Sequence, residues 1–177
     1  GDLDNRMRFT IEFVKAVREK VGPDFPISFR LAVEHGIPGG RSIEESKEIA
    51  RRIEAAGADA IHADAGCYET LDLIFPTSYM GDACLAWAAK EIKKAVNIPV
   101  IAVGNMTPEA GEKILEAGEA DFIAFGRQLI ADPDLPVKMN KGKAEEIRPC
   151  IRCNEMCIGN AFCHLPISCS LNSVTGR

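Results

Sequence analysis

Gly118-Glu119-Ala120-Asp121-Phe122-Ile123-Ala124-Phe125-Gly126-Arg127 joins a helix-ending glycine to an acid, a short apolar run and a second glycine. The same plan stands earlier in the chain as Gly57-Ala58-Asp59-Ala60-Ile61-His62-Ala63. In both, a glycine stops a helical pattern and a buried strand follows directly, the punctuation of a βα unit. Working outward, the pattern recurs four times. Asn5 to Val21 spaces Phe9, Phe13, Val14 and Val17 at helical intervals up to Gly22-Pro23, and Pro26 to Ala32 reads as a strand. Ser42-Ile43-Glu44-Glu45 has the form of a capping box, opening a helix to Ala56 before the strand Ala58 to Ala63. After an irregular stretch from Gly66 to Gly81, a helix is expected to run to Val96, followed by the strand Ile98 to Val103. Thr107-Pro108 starts another helix with a hydroxyl cap and proline in the first turn, ended by Gly118 before the strand Asp121 to Phe125. Gly126-Arg127 leads into a short helix, and Asp132-Pro133 opens a further one.

Four βα units are half of a closed barrel, which needs eight strands and typically about 250 residues. Three architectures fit: the second half of a TIM (β/α)8 barrel, a flavodoxin-like open sheet, or a chain that pairs with another, a homo-oligomer included. Opening on a helix rather than a strand favours a fragment. The expected division is residues 1–145 as partial barrel and 146–177 as a cysteine-rich segment.

The length of 177 residues and 46% hydrophobic content suffice for one core of ordinary size. A net charge of -5 without a basic stripe argues against nucleic acid or a membrane surface and for a small-molecule ligand. No run approaches the roughly 20 apolar residues of a membrane span, and Gly1 to Arg6 lacks signal-peptide character. Seven cysteines, five of them between Cys150 and Cys169, point to metal rather than a disulfide framework. The odd count fits a reducing, cytoplasmic setting.

The tail carries Pro149-Cys150-Ile151-Arg152-Cys153-Asn154-Glu155-Met156-Cys157 and then Cys169, a C-x2-C-x3-C-x11-C array. On a helix, positions 150, 153 and 157 would share a face while the loop returns the fourth thiolate. Four thiolates suit zinc or an iron–sulfur cluster. Zinc sites generally use two close pairs, so three adjacent cysteines with one remote favour a [4Fe–4S] cluster. Spacing alone leaves Cys163 as a competing fourth ligand.

Active sites of β/α barrels sit at the C-terminal ends of the strands. There the sequence places Arg30, the segment Asp64 to Glu69, Gly104-Asn105 and Gly126-Arg127. The glycines allow backbone amides and helix N-termini to approach a phosphate, although turns alone also use glycine. Arg30 within a strand needs an anionic partner, either a ligand or a salt bridge. His62 and His35 are candidate proton donors, His62 being more in the manner of a packed strand residue. Cys67 and Tyr68 follow the second strand where an acid would serve an enzyme, or where an aromatic would close the barrel mouth.

With these residues in place, the chain resembles the old yellow enzyme family, and within it the iron–sulfur branch of 2,4-dienoyl-CoA and 2-enoate reductases. The resemblance lies in Asp4-Asn5-Arg6-Met7-Arg8-Phe9, Phe29-Arg30-Leu31, Ile98 to Gly104, Ala120 to Arg127 with Ala131-Asp132-Pro133, and Ile147 to Asn154. The step from Cys153 to Cys157 resembles these reductases rather than trimethylamine dehydrogenase, whose step is shorter. The resemblance implies an NAD(P)H-dependent oxidoreductase reducing an activated C=C bond of an enoate or enoyl-CoA. Related flavoenzymes act on a steroid-like enone or an amine, and a zinc-stabilised binding module without redox activity is the alternative from another class. It also implies that Arg30 lies against the ring of FMN, and that Gly104, Asn105, Gly126 and Arg127 hold its phosphate. Cys150, Cys153, Cys157 and Cys169 become the cluster ligands. In the parent, electrons would pass from NAD(P)H through FAD and the cluster to FMN. The family's Gly-x-His-Glu stretch is replaced by Gly66-Cys67-Tyr68-Glu69, which makes Tyr68 the candidate proton donor. An N-terminal half-barrel and C-terminal FAD and NAD domains would complete the protein, so the isolated chain is expected not to turn over substrate.

Overall fold

The computed structural model describes residues 1–176. Helix α1 (Leu3–Val21) begins where the Asp2 carboxylate accepts the Asn5 amide at 2.8 Å, and ends at Gly22, whose φ of 83° suits glycine. Strand β1 (Ser28–Ala32) leads to α2 (Ile43–Ala55), and β2 (Ala60–Asp64) to the short α3 (Leu71–Ile74) and α4 (Ala86–Lys93). Then come β3 (Val100–Ala102), α5 (Pro108–Glu116), β4 (Phe122–Ile123), α6 (Arg127–Ala131) and α7 (Leu135–Asn140). The tail adds a π turn at Glu155–Gly159 and one helical turn, α8 (Asn160–Phe162).

The sheet has four parallel strands in the order β1-β2-β3-β4. A flavodoxin-like sheet reverses its strand order partway, whereas strands succeeding one another in a single direction are consecutive staves of a barrel. The half-barrel expectation therefore holds over the open sheet. Two adjacent rows show the two faces. Leu31, Ala63 and Ala102, in register, are at most 3% exposed beneath the helices. The next row, Arg30, His62, Ile101 and Phe122, is partly or largely open on the face that is a barrel's interior. Between helices and sheet lie Ile53, Ile61, Ala88, Ile92 and Val100, all fully buried.

The repeated acid before a strand has a common job. The Asp59 carboxylate accepts the Ile27 amide at 2.7 Å and pairs with Arg18 of α1. The Asp121 carboxylate accepts the Val100 amide at 2.8 Å and pairs with Lys93 of α4 at 2.7 Å. Each acid thus holds the start of the preceding strand and the end of the helix before it. Both carboxyls sit below their ordinary range: Asp59 through the Ile27 amide and then Arg18, Asp121 through Lys93 and Val100 against the opposing effect of burial.

Three local expectations need correction. The capping box at α2 is half made: Ser42 accepts the Glu45 amide at 3.4 Å, but the Glu45 carboxylate turns to Arg6, which donates to both its oxygens at 2.7 Å. Helix α4 is shorter than the stretch from Gly81 to Val96, because Ala83, at φ 49°, donates to the Asn105 carbonyl and bends the chain before the helix begins. The cysteine segment is not a helix from 150 to 157, since Arg152 (φ 57°) and Asn154 (φ 60°) are left-handed and only the turn from Glu155 is helical. No helix among the described residues is long and apolar enough to cross a membrane.

Candidate functional site

A cavity of about 420 Å³ opens at the C-terminal ends of the strands, within the range of small-ligand sites. Its wall includes Arg30 from β1, Asp64 from β2, Val103 to Thr107 after β3, and Ala124 to Gln128 after β4. Pro149, Cys150, Arg152 and Ile158 of the tail close it. All five residues singled out for a flavin, Arg30, Gly104, Asn105, Gly126 and Arg127, line this one cavity.

Their roles differ. Arg30 projects from the open row, ion-paired with the buried Asp64 and 3.3 Å from Nε2 of His62. Arg30 thus has a structural carboxylate partner and still lines the cavity. Burial, and then the Arg30 charge, push the His62 pKa down, which favours the neutral ring.

Gly104, at φ 106°, has no room for a Cβ, which would stand 2.7 Å from Leu85, so packing alone explains it. Gly126 is different: a Cβ there would meet no atom within 4 Å, although the residue lines the cavity. The protein's own packing places no demand on Gly126, and the space it leaves suits a bound group approaching the backbone. The helix that follows, α6, has five residues, too few for a macrodipole to contribute much.

The side-chain amide of Asn105 is engaged within the protein. Its Nδ2 donates to the carbonyls of Thr77 at 2.8 Å and Gly81 at 3.0 Å, and its Oδ1 accepts from Nη2 of Arg127 at 2.9 Å. The other Arg127 nitrogen donates to Oδ1 of Asn154. Among the described residues no carboxylate pairs with Arg127. Its charge is held between two neutral oxygens, the state that an anion would complete.

Arg127 and Cys150 also border a second, smaller cavity, ringed by Cys150, Cys153, Cys157 and Cys169. Cys163 is exposed and outside that ring. The return of Cys169 is a matter of hydrogen bonds: Asn160 donates to the Pro166 carbonyl at 3.0 Å, the Ser168 amide donates to Met156 at 3.0 Å, and Asn172 is anchored to the Ile130 carbonyl at 3.2 Å. The Arg152 amide points at Cys150 Sγ and the Leu171 amide at Cys169 Sγ, each at 3.4 Å, and Ser170 Oγ lies 3.7 Å from Cys153 Sγ. Among the described residues no three His, Cys, Asp or Glu side chains are gathered to hold one metal ion. Zinc draws its sulfurs to about 2.3 Å of a single centre. The four thiols share the lining of this small cavity without being drawn to one centre.

Tyr68, in a 3₁₀ turn after β2, is 83% exposed and not part of the cavity wall. Residues that the sequence reading passed over join the two cavities. Gln128 accepts the Cys150 amide at 2.8 Å and donates to the Arg148 carbonyl at 2.9 Å. Arg152 donates to Asp82 at 2.5 Å, and Asn154 donates to the Phe75 carbonyl at 2.8 Å. The only sequence signal for these is their proximity to Cys150 and Cys153 or to Arg127.

Comparison with known proteins agrees with this geometry. The model of the NADH:flavin oxidoreductase / NADH oxidase family matches residues 1–146. An NADH oxidase of Thermoanaerobacter brockii is 45% identical over all of this chain and 28% of its own length. A cinnamate reductase of Clostridium sporogenes is 34% identical over all of this chain and 29% of its own. The solved 2-naphthoyl-CoA reductase complex superposes with a TM-score of 0.94 at 34% identity, over 99% of this chain and 27% of that one. An old yellow enzyme homologue from Zymomonas mobilis, 21% identical, shares the fold with a TM-score of 0.60 over 80% of this chain. The chain thus spans less than a third of the length of the NADH oxidase and the cinnamate reductase. By sequence and by fold it belongs to the NADH:flavin oxidoreductase / NADH oxidase family.

Proposed function

We propose that the chain supplies the FMN-phosphate half of a flavin barrel (residues 1–145) and the ligands of a [4Fe–4S] cluster (residues 146–177). The whole protein would be an NAD(P)H-dependent oxidoreductase that reduces an activated C=C bond, drawing also on FAD. The observation that carries this reading is the contact between the two cavities: one wall, formed by Arg127, Ile130 and Cys150, borders both. A flavin bound in the larger cavity would supply hydride chemistry, and a cluster in the smaller one single-electron transfer.

This chain's residues would do the rest. Arg127, lacking a carboxylate, binds the phosphate, and Gly126 lets it approach the backbone. Arg30 places positive charge at the cavity, and Asp64 keeps that guanidinium from swinging away. The amides of Arg152 and Leu171 stabilise negative charge on the sulfurs of Cys150 and Cys169. Tyr68, exposed after β2 and outside the cavity wall, would be the proton donor to a substrate. The cinnamate reductase and 2-naphthoyl-CoA reductase among the similar proteins support an unsaturated acid or its thioester as substrate. An N,N-dimethylglycine/sarcosine dehydrogenase, also 34% identical, supports an amine as the second reading.

Anaerobic purification of the whole protein tests the cofactors. One FMN with about four iron and four sulfide per chain is expected, whereas one zinc and no flavin would sink the proposal. NADH-dependent loss of a cinnamate-type absorbance, against oxidation of a methylated amine, decides between the two substrates.

A further inference from the structure

The two cavities are built from distant parts of the chain and share a wall. We infer that Asn154 is the positioning residue that couples them, fixing Arg127 for the flavin phosphate through its side chain while its backbone follows Cys153; this rests on the reading above.

Asn154 is left-handed, at φ 60° and ψ 3°, a conformation that asparagine tolerates better than most residues. Three bonds leave it in different directions. Oδ1 accepts from Arg127, Nδ2 donates to the Phe75 carbonyl at 2.8 Å, and its own carbonyl accepts the Gly159 amide at 2.8 Å. The last bond closes the π turn that contains Cys157. Phe75 is a wall of the larger cavity and also meets the ring of Phe162, edge to face at 5.8 Å.

Arg127 is therefore gripped by two amide oxygens of unequal security. Asn105 is buried and tied to two carbonyls. Asn154 stands on the cysteine loop, where its position depends on how Cys153 and Cys157 are held. Binding a cluster to those thiolates fixes the loop, the loop fixes Asn154, and the second grip on Arg127 is set before the phosphate arrives. Preorganisation of this kind strengthens binding by removing an ordering cost. By linkage, the flavin must in return hold the cluster more firmly.

The test separates FMN from riboflavin, which lacks the phosphate, in the intact protein carrying its cluster but depleted of flavin. Asn154→Gly retains the left-handed backbone and every cysteine while removing both side-chain bonds. It is expected to weaken FMN roughly tenfold, the size of one hydrogen bond to a charged group, with riboflavin affinity and iron content unchanged. Removing the cluster with a chelator should weaken FMN in the unmodified protein and add little in Asn154→Gly. A mere loosening of structure would weaken both flavins alike, and that result, or unchanged FMN affinity, overturns the inference. If Asn154→Gly fails to keep its iron, Asn154→Asp decides by the same ratio: neutralising Arg127, it should weaken FMN and spare riboflavin, and equal losses overturn the inference. Unmodified protein without flavin or iron would instead overturn the functional reading.

Discussion

Residues 1–145 and residues 146–176 are held together by opposite means. The first part buries a continuous apolar core, with Val33, Ile53, Ile61, Ala63, Ile92 and Val100 fully inaccessible. In the second, Asn172 is the only buried residue among those described, and Ile151, Phe162, Leu165 and Val174 are exposed. The tail hangs on polar bonds to the barrel from Arg127, Gln128, Asp132 and Ile130. A segment that buries so little apolar surface cannot offset its own ordering entropy without further cross-links. Cysteines crowd in this segment and are sparse in the barrel.

The sharpest way to break the contrast is to attack the core. Ile61→Asp places a charge where no water reaches, and is expected to cost more than about 4 kcal/mol and abolish folding of both parts. Loss of far-UV circular dichroism checks it. Cys157→Ser comes next and should act on one side only: iron is lost and the tail becomes open to proteases, while peptides from residues 1–145 stay protected. If the barrel were digested equally fast, the two parts would be one cooperative unit.

Asp132→Asn probes the joint. That carboxylate accepts from Lys138 at 2.6 Å and from the Arg148 amide at 2.8 Å, linking α7 and the start of the tail. The substitution is expected to cost about 1–3 kcal/mol in urea denaturation. Lys138, against the opposing effect of burial and with help from the Arg148 amide, holds the Asp132 pKa below its ordinary 3.8. A lowered folded pKa means that the stabilisation is complete above 3.8 and is lost as pH falls through that value toward the folded one. Acid should therefore loosen the tail, and Asp132→Asn should flatten that dependence. The smallest effect belongs to Ser170→Ala, which removes a hydroxyl near Cys153 Sγ and should move the cluster potential to a more negative value in an electron paramagnetic resonance titration.

What the sequence made legible follows the same division. In the barrel, helix limits announced themselves through Gly22-Pro23, Ser42, Thr107-Pro108 and Gly118, because caps and breakers act within a few residues. The strands were located but read too long: from Asp121 to Phe125 only Phe122 and Ile123 pair as strand, since pairing depends on a distant partner. Strand order was hidden for that reason, and so was the diversion of Glu45 to Arg6, 39 residues away. At the site, glycine and arginine types pointed to an anion. Their division of labour did not show, because Gly104 answers to Leu85 and Asn105 to Thr77 and Gly81. Asn154 and Gln128 went unnoticed because a single amide side chain has no signature until its partners are in view.

The paired acids Asp59 and Asp121 carry a consequence for how such a chain is made. Ile27 meets Asp59 after 32 residues, and Val100 meets Asp121 after 21. The opening amides of β1 and β3 are secured only once the following unit has been made, so these two staves are aligned by residues that come later in the chain.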